Sequence, residues 1–225
     1  MKTTDSAVPA RRELAPIQPI TLVTQVVDAI VKGAAEGLFP PGQRIVEAEV
    51  ARRLNVSRVP IREALRLLES QGVVVNEPYR GMRMMDVDRQ RAKETLSVRL
   101  ALEQLAVEEL RAAGRQDELK SELLATIDEM VGAEQANEPF GISQLDMQFH
   151  RQIVYAADNA TLVRAWEPLA RQLIIITRLS ANYKPLSSIT EEHRLLADAL
   201  CTWDDAPLKD LLREHVFAYL TEIDN

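Results

Sequence analysis

The stretch Glu47 to Gly72, EAEVARRLNVSRVPIREALRLLESQG, decides how the chain is read. Two helical patterns meet at a short polar break, Asn55-Val56-Ser57. In the first, Val50, Ala51 and Leu54 share one face. In the second, Ile61, Ala64, Leu65 and Leu68 recur at i, i+3, i+4 and i+7, the spacing of an amphipathic helix. Ser57 is placed to cap the second helix, and Pro60 falls in its first turn, where a missing N–H costs little. Helix, short turn, helix is the pattern of a helix-turn-helix.

The second helix carries the candidate chemistry. Arg58, Arg62 and Arg66 recur at i, i+4 and i+8, a stripe roughly a quarter-turn from the apolar face. Guanidinium forks on a cylinder that fits the major groove suit phosphate and the guanine edge. The same stripe also reads as a solvated face with ion pairs such as Arg62–Glu69 or Arg66–Glu63.

Outward from this segment, charge is unevenly shared. Residues 1–85 hold 12 Lys/Arg and 9 Asp/Glu, whereas residues 86–225 hold 15 and 25, so the front is net +3 and the rear net −10. Only the front is suited to nucleic acid. No apolar run reaches the ~20 residues of a membrane helix, and no secretory signal opens the chain. A single cysteine, Cys201, excludes an internal disulfide framework and reads as a small core residue. The expected location is the cytoplasm.

Residues 1–16 read as a flexible tail. From Pro19 the run ITLVTQVVDAIVKGAAEG is helical and ends at Gly37, before the turn Phe39-Pro40-Pro41-Gly42. Arg44-Ile45-Val46 is a short extended piece. Beyond Gly72 the period changes. Val73-Val74-Val75 and Met82 to Val87 are extended, with turn residues Asn76 to Gly81 between them, which predicts a β-hairpin. Directly after a recognition helix, a hairpin is a wing. Arg80 and Gly81 sit at its tip, within reach of the minor groove or backbone.

The strings LFPPG (38–42), NVSRVPIREAL (55–65), LESQG (68–72) and Arg80-Gly81 together resemble the DNA-binding domain of GntR-family transcription regulators. The resemblance covers roughly residues 17–85. It implies operator contacts from Arg58, Val59 and Arg62, with Arg80 and Gly81 at the wing. Ala48 stands where some subgroups carry an arginine, so no base contact is expected there.

From Asp86 onward the chain reads as all helix, with segments near 87–113, 117–136, 142–157, 161–181, 190–202 and 206–223. Six helices with short links predict an antiparallel bundle. The expected architecture is therefore mostly α, with a winged helix-turn-helix at 17–85 and a helical bundle at 86–225.

All three histidines lie in this bundle. Asp146 and His150 are i,i+4 on one helix and lie one above the other. His193 and His215 each stand 11 residues from Asp204, the centre of the turn between the last two helices. At ~1.5 Å per residue each is about 16 Å from that turn, so in an antiparallel hairpin they are level. Inward-facing imidazoles at one height, joined by an aspartate–histidine pair, make an Asp/His/His/His ligand set. Such a set suits zinc, and also nickel, manganese or iron. Three unrelated core or surface histidines is the plainer alternative. Glu192 and Glu214 adjoin two of the ligands, but one residue is about 100° around a helix, so they are expected to point elsewhere.

The rear also resembles the effector domain of the FadR branch of GntR regulators, called FCD. The carrying residues are RLALE (99–103), DMQFH (146–150), AADN (156–159), Glu192-His193-Arg194 and Glu214-His215. The resemblance implies a divalent metal on Asp146, His150, His193 and His215 at the floor of a cavity, with a small organic acid above it. It also implies Arg99 as a carboxylate clamp. A salt bridge to Glu103 is the alternative role for that arginine. Arg178 is a second effector-binding candidate.

The expected function is a ligand-responsive repressor acting as a homodimer on a double-stranded operator, without enzymatic activity. A small carboxylic acid is the expected effector. The dimer follows from half-site logic and from the resemblance. The alternatives are a metal-dependent enzyme with a DNA-binding appendage and a pure metal sensor.

Overall fold

The computed structural model describes residues 21–180, 184–202 and 205–222. The tail at 1–16, the helix start expected at Pro19, parts of the breaks at Tyr183 and at Trp203-Asp204, and the side chain of Cys201 lie outside the described residues.

Helix α1 spans Leu22–Ala35 and opens where the Thr21 hydroxyl accepts from the Thr24 amide at 3.2 Å. The following loop folds back on it: a Cβ at Gly33 would lie 2.8 Å from the Phe39 ring, so only glycine admits that contact. Helix α2 spans Glu47–Leu54 and stops at Asn55, which takes the left-handed conformation at φ 52°. Helix α3, Arg58–Ser70, is the second helix of the motif. Ser57 holds its N-cap position but makes no side-chain cap bond, contrary to the sequence expectation. The third helical residue is Pro60, so one of the two amides such a hydroxyl normally caps does not exist.

The wing forms from β1, Val74–Glu77, and β2, Gly81–Met84, antiparallel with Val74 opposite Met84. Its turn is tighter than the sequence reading, because Asn76 and Glu77 pair within the strand. Tyr79 at the tip has φ 65°. The Arg44 segment adds a third short edge: Arg44 bridges Arg83, and the Ile45 amide donates to the Met82 carbonyl at 2.8 Å.

The rear comprises α4 Arg89–Ala113, α5 Gln116–Gln135, α6 Pro139–Ala156, α7 Ala160–Ser180, α8 Leu186–Thr202 and α9 Asp205–Phe217, then a 3-10 turn at Ala218–Glu222. Asp88 caps α4 by accepting from the Arg91 amide at 2.7 Å. Pro139, expected in a break, is instead the first residue of α6, where its fixed φ and absent N–H fit. Helix α8 starts four residues before the expected 190.

Each half has its own apolar core. Val27, Ile30, Ile61, Leu65, Leu68 and Val73 fill the front, while Leu96, Leu123, Phe149, Trp166, Leu196 and Val216 fill the rear. Helix α7 serves both, with Leu173 in the rear core and Ile175 and Ile176 in the front one. Among the described residues, no helix is long and apolar enough to cross a membrane.

Candidate metal centre and DNA-facing surface

Three helices converge on one buried point. Asp146 and His150 come from α6, His193 from α8 and His215 from α9. One ligand atom from each lies within 4.8 Å of all the others. The four residues are between 0 and 4% exposed. His193 and His215 have ring centroids 4.6 Å apart, so the level placement across the α8–α9 hairpin is borne out. His150 Nε2 lies 2.9 Å from His215 Nε2 and 3.3 Å from Asp146 Oδ1. His193 Nε2 lies 3.1 Å from that same oxygen.

Each imidazole turns Nε2 inward and Nδ1 outward to an oxygen, by a hydrogen bond at His193 and at ion-pair distance without hydrogen-bond geometry at His150 and His215. His193 Nδ1 faces the Ile189 carbonyl of its own helix at 2.8 Å. His150 Nδ1 stands 2.9 Å from Glu103 Oε2 on α4. His215 Nδ1 stands 3.5 Å from Glu192 Oε2. An oxygen facing Nδ1 lets that nitrogen keep the proton when a cation replaces the one at Nε2, which otherwise serves the hydrogen bonds of His150 and His193 to Asp146. Glu192 therefore does not point away from the ligands, as expected from its neighbour His193. It reaches across to His215 on the next helix, and Lys184, just before α8, also holds it.

A second layer was not foreseen. The Tyr219 hydroxyl donates to Asp146 Oδ2 at 3.1 Å, and the Trp166 indole donates to Glu103 Oε1 at 3.1 Å. Tyr219 lies four residues after His215, so its i+4 spacing was the available signal. Arg99 is fully buried, donates from Nε to Glu103 Oε1 at 2.9 Å and brings Nη2 to 3.5 Å from Asp146 Oδ1. The Glu103 salt bridge is thus present. Both terminal guanidinium nitrogens nevertheless lack a hydrogen-bond partner among the described residues.

Electrostatics follow from this packing. Burial alone would raise the Asp146 carboxyl, but hydrogen bonds from His150 and His193 and the charge of Arg99 hold it well below the usual range. Burial likewise opposes ionisation of Glu103, yet Arg99 and His150 bring it down to about 2. Burial and the neighbouring imidazole of His193 push His215 down to about 3, which leaves it neutral and able to coordinate. Burial and Arg99 oppose a charge on His150, yet Glu103 and Asp146 raise its pKa above the ordinary value. A carboxylate with three imidazoles that give up the Nε2 proton to the ion is the donor set of a divalent transition metal, so the residues fit the ion.

Arg178 is placed differently. It lines a cleft of about 370 Å³ with Lys32, Glu36 and Phe140, between α1, α6 and α7, and none of the four clustered residues lines that cleft.

On the front half, Arg58, Val59, Arg62 and Arg66 are all exposed on α3, and Val59 is 64% exposed despite its apolar side chain. Arg62 pairs with neither Glu69 nor another residue of its own helix. It reaches Glu47 of α2, at 3.1 Å from Nη2 and 3.4 Å from Nε. Glu47 sits 15 positions away, a pairing that helical spacing does not reveal. Arg80 projects from the wing tip, 3.6 Å from Glu77, beside Gly81 at φ 80°.

An exposed recognition helix, a wing and a helical domain enclosing a polar cluster define a two-domain DNA-binding regulator. The chain belongs to the GntR family of bacterial regulatory proteins: residues 22–84 match that family and residues 94–218 match the FCD domain. It is 32% identical over 200 residues to a probable D-xylose utilization operon transcriptional repressor of Paenarthrobacter nicotinovorans, covering 89% of this chain and 88% of that one. It is 28% identical to the gluconate operon transcriptional repressor of Bacillus subtilis, covering 80% and 75%. Among solved structures, Escherichia coli McbR/YncC shares the fold at TM-score 0.75 and 22% identity, covering 92% of this chain and 100% of that one.

Proposed function

We propose that this regulator is a cytoplasmic repressor that binds operator DNA as a homodimer and is controlled at the buried cluster. Asp146, His150, His193 and His215 hold a divalent cation, zinc first among the candidates and nickel, manganese or iron after it. The observation that carries this reading is the convergence of four donors within 4.8 Å, with an oxygen facing Nδ1 of each imidazole. When bound, the ion supplies a Lewis-acidic attachment point for a carboxylate. Arg99 supplies the complementary donors, since Nη1 and Nη2 make no hydrogen bond among the described residues, although Nη2 is ion-paired with Asp146. A relative named for a gluconate operon puts sugar acids at the head of the effector candidates, and one named for a D-xylose operon puts neutral sugars next.

The remaining residues divide accordingly. Arg58, Val59 and Arg62 meet the major groove, and Arg80 and Gly81 meet the flanking backbone or minor groove. The domains divide near residue 85. Val98, Ala101, Leu102 and Leu105 form an i, i+3, i+4, i+7 apolar ladder on α4 with Val98 and Leu105 exposed, which suits a second copy of the chain. The cluster is read as a binding site and not a catalytic one, because Glu103 and Glu192, the carboxylates beside it, are already engaged.

A second reading is favoured by one observation. The four ligands are almost fully enclosed, so a pure metal sensor needs no opening above the ion, whereas an organic effector does. Elemental analysis of the purified protein, with a thermal-shift screen of sugar acids with and without chelator, tests the proposal. One ion per chain and an acid-dependent shift support it. Absence of any bound metal refutes the ligand set, and DNA affinity that follows free metal alone selects the sensor.

A further inference from the structure

The recognition helix ends against the other half of the molecule. The helix ends at Ser70, and the carbonyls of the two residues that follow it, Gln71 and Gly72, are taken by side chains of α4 and α7. Gln172 Nε2 donates to the Gln71 carbonyl at 2.7 Å, and Arg91 Nη2 donates to the Gly72 carbonyl at 2.7 Å. Arg171 Nη1 adds a bond to the Gln71 side-chain oxygen at 3.3 Å, and Arg91 Nη2 also reaches Gln172 Oε1 at 3.4 Å. Gly72 has φ 70°, and a Cβ there would lie 2.9 Å from Gln172 Nε2, so the approach needs glycine on two counts.

The same two helices carry the braces of the buried cluster. On α4, Arg91 is followed eight residues later by Arg99 and then by Glu103, which stands against His150. On α7, Gln172 is preceded six residues earlier by Trp166, which donates to Glu103. At ~1.5 Å per residue these separations are about 12 Å and 9 Å along continuous helix. Helix α7 carries Pro168 between Trp166 and Gln172 but stays helical through it, so both routes from Glu103 to Gln71 and Gly72 run within helices.

We propose that Arg91 and Gln172 are positioning residues that clamp the C-terminal end of the recognition helix to α4 and α7, so that occupancy of the Asp146/His150/His193/His215 cluster is transmitted to that helix. The second half of this statement rests on the metal reading above; the clamp itself does not.

Hydrogen exchange of the full chain, with and without zinc, tests both halves. The reporters are the amides of Gln71, Gly72 and Val73, which close the last turn of α3 on Leu67, Glu69 and Leu68. In the wild type, zinc slows these amides by roughly three- to tenfold. Gln172→Ala and the near-isosteric Gln172→Glu abolish most of that difference while zinc stoichiometry stays unchanged. A zinc effect retained in both variants overturns the transmission, as does a wild type that binds zinc without any change at these amides. A side chain that merely stabilised the fold would speed exchange equally with and without zinc, and that outcome also overturns it. If the wild type binds no zinc, the metal reading fails separately and the metal-free comparison decides the clamp. Faster exchange in the variants supports it, and equal exchange refutes it.

Discussion

Glu192 sits next to His193 in the chain but serves His215: its Oε2 is 3.5 Å from Nδ1 of that imidazole, on the neighbouring helix. Adjacent residues on α8 thus face the cluster by different routes, one as a member of it and one beside another member. Glu103 stands in the same relation to His150. Braces of this kind fix ring orientation and raise ligand basicity.

Glu192→Gln and Glu103→Gln are expected to weaken zinc binding by about 10- to 100-fold while leaving stoichiometry intact at saturation. Chelator-competition titration measures this. His193→Ala goes further and lowers bound metal well below one ion per chain by elemental analysis. Unchanged affinity in Glu192→Gln would show the His215 contact to be incidental.

Removal of metal lowers thermal stability. A ligand present at a thousandfold over its Kd stabilises the folded state by about 4 kcal/mol. At about 2–4 °C per kcal/mol for a chain of this size, chelation is expected to lower the melting temperature markedly in the wild type. His193→Ala should melt at one temperature regardless of chelator. A wild type indifferent to chelator would argue against a folded-state ion.

Arg99→Ala strands Glu103 and Asp146 as buried carboxylates without their shared cation. Breaking a buried pair in this way costs about 3–5 kcal/mol, read as a lower urea midpoint. Arg99→Lys keeps charge but loses the planar fork, so it recovers part of the stability and none of the response to carboxylic acids. Recovery of that response by lysine would demote Arg99 to a purely structural cation.

Arg62→Ala weakens binding to duplexes selected by the wild type from a random library by about 1–3 kcal/mol if the guanidinium reads a base. If it only meets phosphate, the salt slope flattens instead by about one unit. Glu47→Gln releases Arg62 from its present partner and should not weaken binding. Wild-type affinity and salt slope in Arg62→Ala would remove this face of α3 from the interface.

Val98→Glu together with Leu105→Glu places charges on the exposed ladder of α4. The expected result is a monomer by light scattering, with metal content unchanged. A dimer that survives both substitutions places the second copy on another surface.

Much of this molecule was legible from local pattern. Periodicity located the helices because burial of one face repeats every three to four residues, and the polar breaks at Asn55, Gly114, Asn137 and Asp158 all adopt left-handed φ values. The clustering of Asp146, His150, His193 and His215 was legible too, because Asp146 and His150 are one helical turn apart and the α8–α9 hairpin brings His193 level with His215. The errors were equally instructive. Ser57 failed to cap because Pro60 removed an amide, and Arg62 chose Glu47 over Glu69 because α2 crosses α3.

The sequence alone determined which segments are helical, which faces are buried and which four side chains share a height, since each depends on spacing within one element or one hairpin. Tertiary structure decided everything that passes between elements distant in the chain. It set Glu103 behind His150, Tyr219 on Asp146, Glu47 on Arg62, and Gln172 against the end of the recognition helix. Those pairings depend on the crossing of packed helices, and no periodicity within a single helix records where another will lie.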